Sequence, residues 1–192
     1  MSRIHKHFFL RMSLVVAVLM LFVACDSHVP SVTSSAKATA AASTPESDAP
    51  LDFDDSSPTE AQPKLKTVVL YVGAHEVISE MAISPTEQQT GMMWRTEMGE
   101  NEGMIFVSSR RRSHGFWMRN TLVPLSIAYI ETDGRISSIH KMHPKDENLV
   151  ESKSQTVRFA LEMNQGWFEK NGIGEGVAIA TEHGSLEDYF IK

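Results

Sequence analysis

Between Thr67 and Thr181 the chain sets short apolar runs against polar breaks, mostly with a strand-like period of two. Thr67–Val72 is β-branched and apolar, Gly73-Ala74-His75 turns the chain, and Glu76–Ile83 alternates as the return strand of a hairpin. Ser84-Pro85-Thr86-Glu87 then carries three helix-start signals: a capping serine, a proline at the first helical position, and a glutamate that completes a capping box. These predict a short helix to about Met93. After a loop at Gly99–Gly103, Met104–Val107 reads as a strand.

The second half continues with short strands and turns, without an internal repeat. Pro124 cannot donate to a ladder and suits a strand entry. Leu125–Ile130 is a strand, Asp133-Gly134 a turn, and Arg135–His140 the return strand. A polar segment runs from Lys141 to Thr156, followed by a strand at Val157–Met163. Gln165–Asn171 is a helical turn ended by Gly172, Val177–Thr181 the last strand, and Ser185–Lys192 a tail. Many short strands, with no regular strand–helix alternation, predict a mainly β sandwich or closed barrel with one or two short helices.

The residues before this domain have another character. Arg3, Lys6 and Arg11 precede an apolar run from Met12 to Ala24, broken only by Ser13. That is the charged and apolar pattern of an export signal, shorter than the roughly 20 residues a spanning helix needs. Leu21-Phe22-Val23-Ala24-Cys25 ends it like a bacterial lipoprotein signal, with Cys25 the lipid acceptor and the chain's single cysteine. An uncleaved membrane anchor is the alternative. Either way the expectation is an exported protein held at a membrane of the cell envelope, on its extracytoplasmic side. Residues 26–63 are rich in Ser, Thr, Ala, Pro and acids and poor in bulky apolar groups. They read as a disordered acidic linker that gives the domain reach, with the single mainly β domain spanning residues 64–192.

Charge excludes one class of partner. Residues 64–192 hold 14 Lys+Arg and 17 Asp+Glu, a balance of −3, which disfavours nucleic-acid binding. Arg110-Arg111-Arg112 is a local basic run, read as a solvated loop with an anionic contact as its functional alternative.

The candidate chemistry gathers around Phe116-Trp117-Met118-Arg119-Asn120-Thr121. An indole, a guanidinium and an amide there suit a sugar, a peptide terminus or a carboxylated ligand. The competing reading is an aromatic core cluster whose polar neighbours satisfy backbone groups. Arg95 and Glu162 are placed with Trp117, Arg119 and Asn120 as tentative ligand-binding residues; a structural Arg95–Glu162 ion pair is the alternative. The domain has no cysteine and no G-x-S-x-G elbow, so no catalytic residue is assigned and no cofactor is expected. A metal reading rests on His114, His140 and His143, with Met118 and Met142 nearby, as a copper or zinc site. The preferred function is thus a non-catalytic binding or interaction module for an unknown envelope ligand or protein. A metal-binding protein and an uncharacterised hydrolase-like envelope enzyme are the alternatives.

Four ordered blocks also resemble a known family. They are Gly91-Met92-Met93-Trp94-Arg95-Thr96, Glu102-Gly103-Met104-Ile105-Phe106-Val107, Phe116–Thr121 with Pro124-Leu125, and Leu161-Glu162-Met163-Asn164-Gln165-Gly166-Trp167. Together they are similar to the domain of unknown function 192 family, over about Thr67 to Thr181. The resemblance implies a small jelly-roll-like fold, often behind an export signal, and no established activity. Ser126 stands where the family often has Asp. Arg119 stands where it usually has Lys, keeping the charge and adding fork geometry.

Overall fold

The computed structural model describes residues 57–191, all within the compact unit Ala49–Lys192. The export signal, Cys25 and most of the linker lie outside the described residues.

Ten strands and three short helices follow in chain order. They are β1 (Thr67–Val72), β2 (His75–Ala82), α1 (Pro85–Thr90), β3 (Glu102–Arg112), β4 (Gly115–Phe116), β5 (Leu125–Glu131), β6 (Ile136–Met142), β7 (Val150–Glu151), β8 (Val157–Asn164), α2 (Trp167–Lys170), β9 (Ile179–Thr181), β10 (Gly184–Ser185) and α3 (Leu186–Phe190). Eight strands form one sheet in the order β10-β9-β1-β2-β3-β8-β5-β6, while β4 and β7 pair separately. The predicted hairpins are present: Val72 faces His75 across the first turn, and β5 pairs antiparallel with β6.

The capping box forms as its sequence requires. Ser84 accepts from the Glu87 N–H, and the Glu87 carboxylate accepts from the Ser84 N–H at 2.8 Å. The helix stops at Thr90, before the expected Met93. It lies in a crossover, so β2 and β3 run parallel, a pairing that local sequence does not announce. β3 is also longer than its apolar core. Arg110–Arg112 form its exposed end and not a loop. At the C-terminus, what reads as a tail folds into β10 and α3, and Leu186 is fully buried.

The central strands are covered on both faces. One cluster gathers Ile105, Val107, Ile130, Phe159, Leu161 and Trp167. The other gathers Met104, Phe106, Leu125, Ile127, Tyr129 and Ala160. That places alternate residues of β3, β5 and β8 in different cores, the packing of a small sandwich. The sheet does not close into a barrel. Its two ends meet only locally: Ile136 N–H donates to the Val177 carbonyl at 3.0 Å, and Ile179 N–H to that of Gly134 at 2.8 Å. Gly134 is required there, with φ 82° and a hypothetical Cβ 2.7 Å from the Ile179 carbonyl oxygen.

Candidate functional site

The loop from Met92 to Gly99, which carries the chain from α1 into β3, forms one wall of a cavity of about 590 Å³. Its floor is the β2–β3 pair, where Ile78 faces Glu102 and Glu80 faces Met104. Its roof is an extended strap that leads into β1. The Trp94 indole N–H donates to the Pro58 carbonyl at 2.6 Å, and Gln62 donates to the carbonyls of Glu87 and Gly91. Leu65 N–H donates to Glu80 Oε2 at 2.7 Å. The strap holds the domain's edge upstream of Lys64, inside the stretch that composition assigns to the linker.

Charged groups of both signs line this cavity: Lys64 and Arg95, with Glu80, Glu97 and Glu102. Arg95 Nη2 meets Glu80 Oε2 at 3.0 Å, and the two side chains are only 13% and 14% exposed. Arg95 also donates to the Pro63 carbonyl, while its Nε is buried without an acceptor. Glu102 accepts from the Gly99 N–H and approaches Lys64 at 3.7 Å, both side chains well exposed. Met92, Trp94, Met98 and Ile78 supply the apolar part.

Of the five tentative ligand-binding residues, only Arg95 lines the cavity. Its partner is Glu80, not Glu162. The register gives the reason: Glu80, Met104, Glu162, Ile127 and His140 stand in one row across β2, β3, β8, β5 and β6. Glu162 is therefore two strands from Glu80, about 10 Å at normal strand spacing. It lies between Met104 and Ile127, 4% exposed, and its carboxyl makes no hydrogen bond among the described residues. Burial pushes its pKa up to about 8. The charge of an ionised Glu162, after burial, also helps hold the Tyr129 hydroxyl above the usual phenol range. That hydroxyl donates to the Val150 carbonyl.

Trp117, Arg119 and Asn120 are half-buried in a loop before β5. The Arg119 guanidinium lies 5.7 Å from the Trp117 ring centroid, a cation–π distance. Asn120 has φ 54°. All three non-glycine residues of positive φ among those described meet around this loop. Trp94 N–H donates to the Asn120 carbonyl at 2.8 Å, and Lys145 N–H lies between the carbonyls of Met118 and Thr121. Phe116, the aromatic partner of Trp117 in sequence, turns inward and packs edge-on against Phe106 and Tyr129. The segment is thus half core and half surface.

The histidines do not assemble. No group of three or more His, Cys, Asp or Glu among the described residues could hold a metal ion. His114 sits beside the β4–β7 pair, its pKa lowered by burial and by Arg112. His140 contacts Ser138 Oγ at 3.1 Å, and burial, then Lys153, lowers its pKa. His143 is exposed. Sequence reasoning missed Glu80, Glu97 and Glu102 as cavity residues. Glu80 alone carried a signal, as a carboxylate on a strand face that turns apolar at Ala82.

No helix among the described residues is long and apolar enough to cross a membrane. No curated protein matches this chain. Solved structures do, two crystal structures among them. One, a protein of unknown function from Novosphingobium aromaticivorans DSM 12444, is 35% identical, with 62% of this chain and 90% of that one covered and a TM-score of 0.59. The other, described as a candidate transcription regulator from Sinorhizobium meliloti 1021, is 28% identical, with 63% and 98% covered and a TM-score of 0.58. A family model matches residues 68–181, between the first strand and the end of β9, so the chain belongs to the domain of unknown function 192 family (DUF192, described as an uncharacterized ACR).

Proposed function

We propose that this chain is an envelope-tethered binding module, non-catalytic, whose ligand occupies the cavity between the strap and the β2–β3 floor. The observation that carries the reading is the Arg95–Glu80 pair in the cavity wall. Desolvating two charges is costly, and a hydrophobic pair would serve packing as well. Charges kept beside a cavity of about 590 Å³ with Trp94, Met92 and Met98 fit the usual plan of a ligand pocket, an apolar body with a few placed polar groups. The tether rests on the apolar run Met12–Ala24 ending at Cys25 and on the acidic linker after it.

Two measurements test this. A ligand-observed NMR screen of neutral aromatic and aliphatic fragments is run on the full chain and on Ile78→Trp, which fills the cavity from its floor. Hits lost in Ile78→Trp support the site; hits that bind both proteins equally place binding elsewhere. Labelled palmitate enters the wild-type chain and not Cys25→Ser if the tether is a lipid. Equal labelling of both refutes that anchor.

A further inference from the structure

We infer that the cavity takes a small zwitterion, an amino acid or a short peptide with free amino and carboxylate ends. This rests on the binding-module reading and adds the ligand's charge pattern. The lining offers one donor, Arg95 Nη1, and one acceptor, the Glu97 carboxylate, that the protein itself leaves unused. Arg95 spends only Nη2, on Glu80 and the Pro63 carbonyl; Nη1 makes no hydrogen bond among the described residues, and Nε is buried without an acceptor. Nη1 thus remains a single uncommitted donor of a cationic group, able to take one oxygen of a carboxylate. Glu97, on the same loop two residues on, makes no hydrogen bond or ion pair among the described residues and faces the same cavity. A carboxylate so placed suits an ammonium.

The mixture of signs in the lining decides between ligand classes. A simple anion entering here meets Glu80, Glu97 and Glu102; a simple cation meets Arg95 and Lys64. Only a ligand carrying both signs is matched at both ends, because unlike charges at short range repay desolvation and like charges add to its cost. Between the charged groups lie Ile78, Met92, Trp94 and Met98. Ile78 is 53% exposed, a large apolar side chain that an aliphatic ligand side chain would cover. Unbranched thioethers adapt to varied shapes, so the apolar part tolerates more than one side chain.

The experiment is isothermal titration of the detergent-solubilised full chain with L-leucine, L-leucyl-L-leucine, the N-acetylated dipeptide and the dipeptide amide. The expected result is binding of an uncapped probe below millimolar and at least tenfold weakening by either cap. Glu97→Gln, an exposed substitution with no partner to orphan, is expected to weaken the free-amine dipeptide severalfold and leave the N-acetylated one unchanged. Leucine binding as tightly as the dipeptide identifies an amino acid as the source; binding of the dipeptide alone identifies a peptide. Equal affinity with and without caps overturns the inference. Neutral fragments that bind while every uncapped probe fails also overturn it, and leave the pocket in place. Failure of fragments and zwitterions alike removes both.

Discussion

Trp94 and Asn120 are joined by a backbone hydrogen bond of 2.8 Å, and both residues hold the left-handed conformation, at φ 63° and 54°. This bond fastens the cavity wall to the loop before β5. Asparagine tolerates such a backbone and most residues do not. Asn120→Ala is expected to cost about 1 kcal/mol, the order of the left-handed penalty for a residue with a Cβ and no amide. Asn120→Gly should be close to neutral. Urea denaturation of both variants is the check, and equal losses in the two would point to the side chain in place of the backbone.

Arg95 and Glu80 are the second dependency. Removing one charge leaves the other poorly solvated beside the strap, and Glu80 also holds the Leu65 N–H. Arg95→Met or Glu80→Gln should each destabilise by about 2–3 kcal/mol, below the cost for a fully sealed pair because both side chains keep some solvent. The double variant should recover part of the loss. Chemical denaturation of the three variants reads the coupling; strict additivity would mean that the pair does not act as one.

The buried carboxyl of Glu162 predicts a pH dependence. In the fold it keeps its proton up to about pH 8, whereas the unfolded chain releases it near the ordinary 4.5. Between those values the unfolded state binds fewer protons, so stability falls as pH rises. The slope from this group is roughly 1.4 kcal/mol per pH unit, the energy of one unit of pKa. Glu162→Gln keeps the shape, removes the titration and should be more stable than the parent at pH 8 and nearly equal at pH 4.5. Unfolding free energies at several pH values decide it; parallel pH profiles for parent and variant would show that Glu162 is not the group responsible.

Gly103 sits in β3 where a side chain has no room. A Cβ there would lie 2.5 Å from Met163 Sδ and 2.7 Å from the Glu162 carbonyl oxygen. The sulfur could move and the backbone carbonyl could not. Gly103→Ala should therefore destabilise by about 2 kcal/mol or more, as overpacking does in a tight core. A thermal melt within a degree of the parent would contradict the close approach of β3 and β8.

The parts of the fold legible in the chain were those set by neighbours in sequence. The Ser84–Glu87 box and the turns at Gly73 and Gly134 close over a few residues, and their chemistry is local. The tail was misread because Leu186 and Phe190 are isolated apolar residues whose burial depends on Phe159 and the rest of the first core. Periodicity leaves sandwich and closed barrel both open, and the structure takes the sandwich: only a few bonds join residues 134–136 to 176–179. The site was half legible. Arg95 and Glu162 stand out as charges beside aromatic and apolar runs, but pairing partners come from register, and the register is set by contacts between strands far apart in sequence.

By itself the sequence determined a mainly β domain, its two hairpins, its capped helix and the aromatic loop before β5, while four motif blocks carried the family resemblance. These follow from side-chain periodicity and turn chemistry, which act over a few residues. Only the tertiary structure decided that β2 and β3 run parallel, that Arg95 meets Glu80, and that Glu162 is enclosed away from the cavity. Those outcomes depend on which strands become neighbours, and that choice is made by burying both faces of one sheet at once.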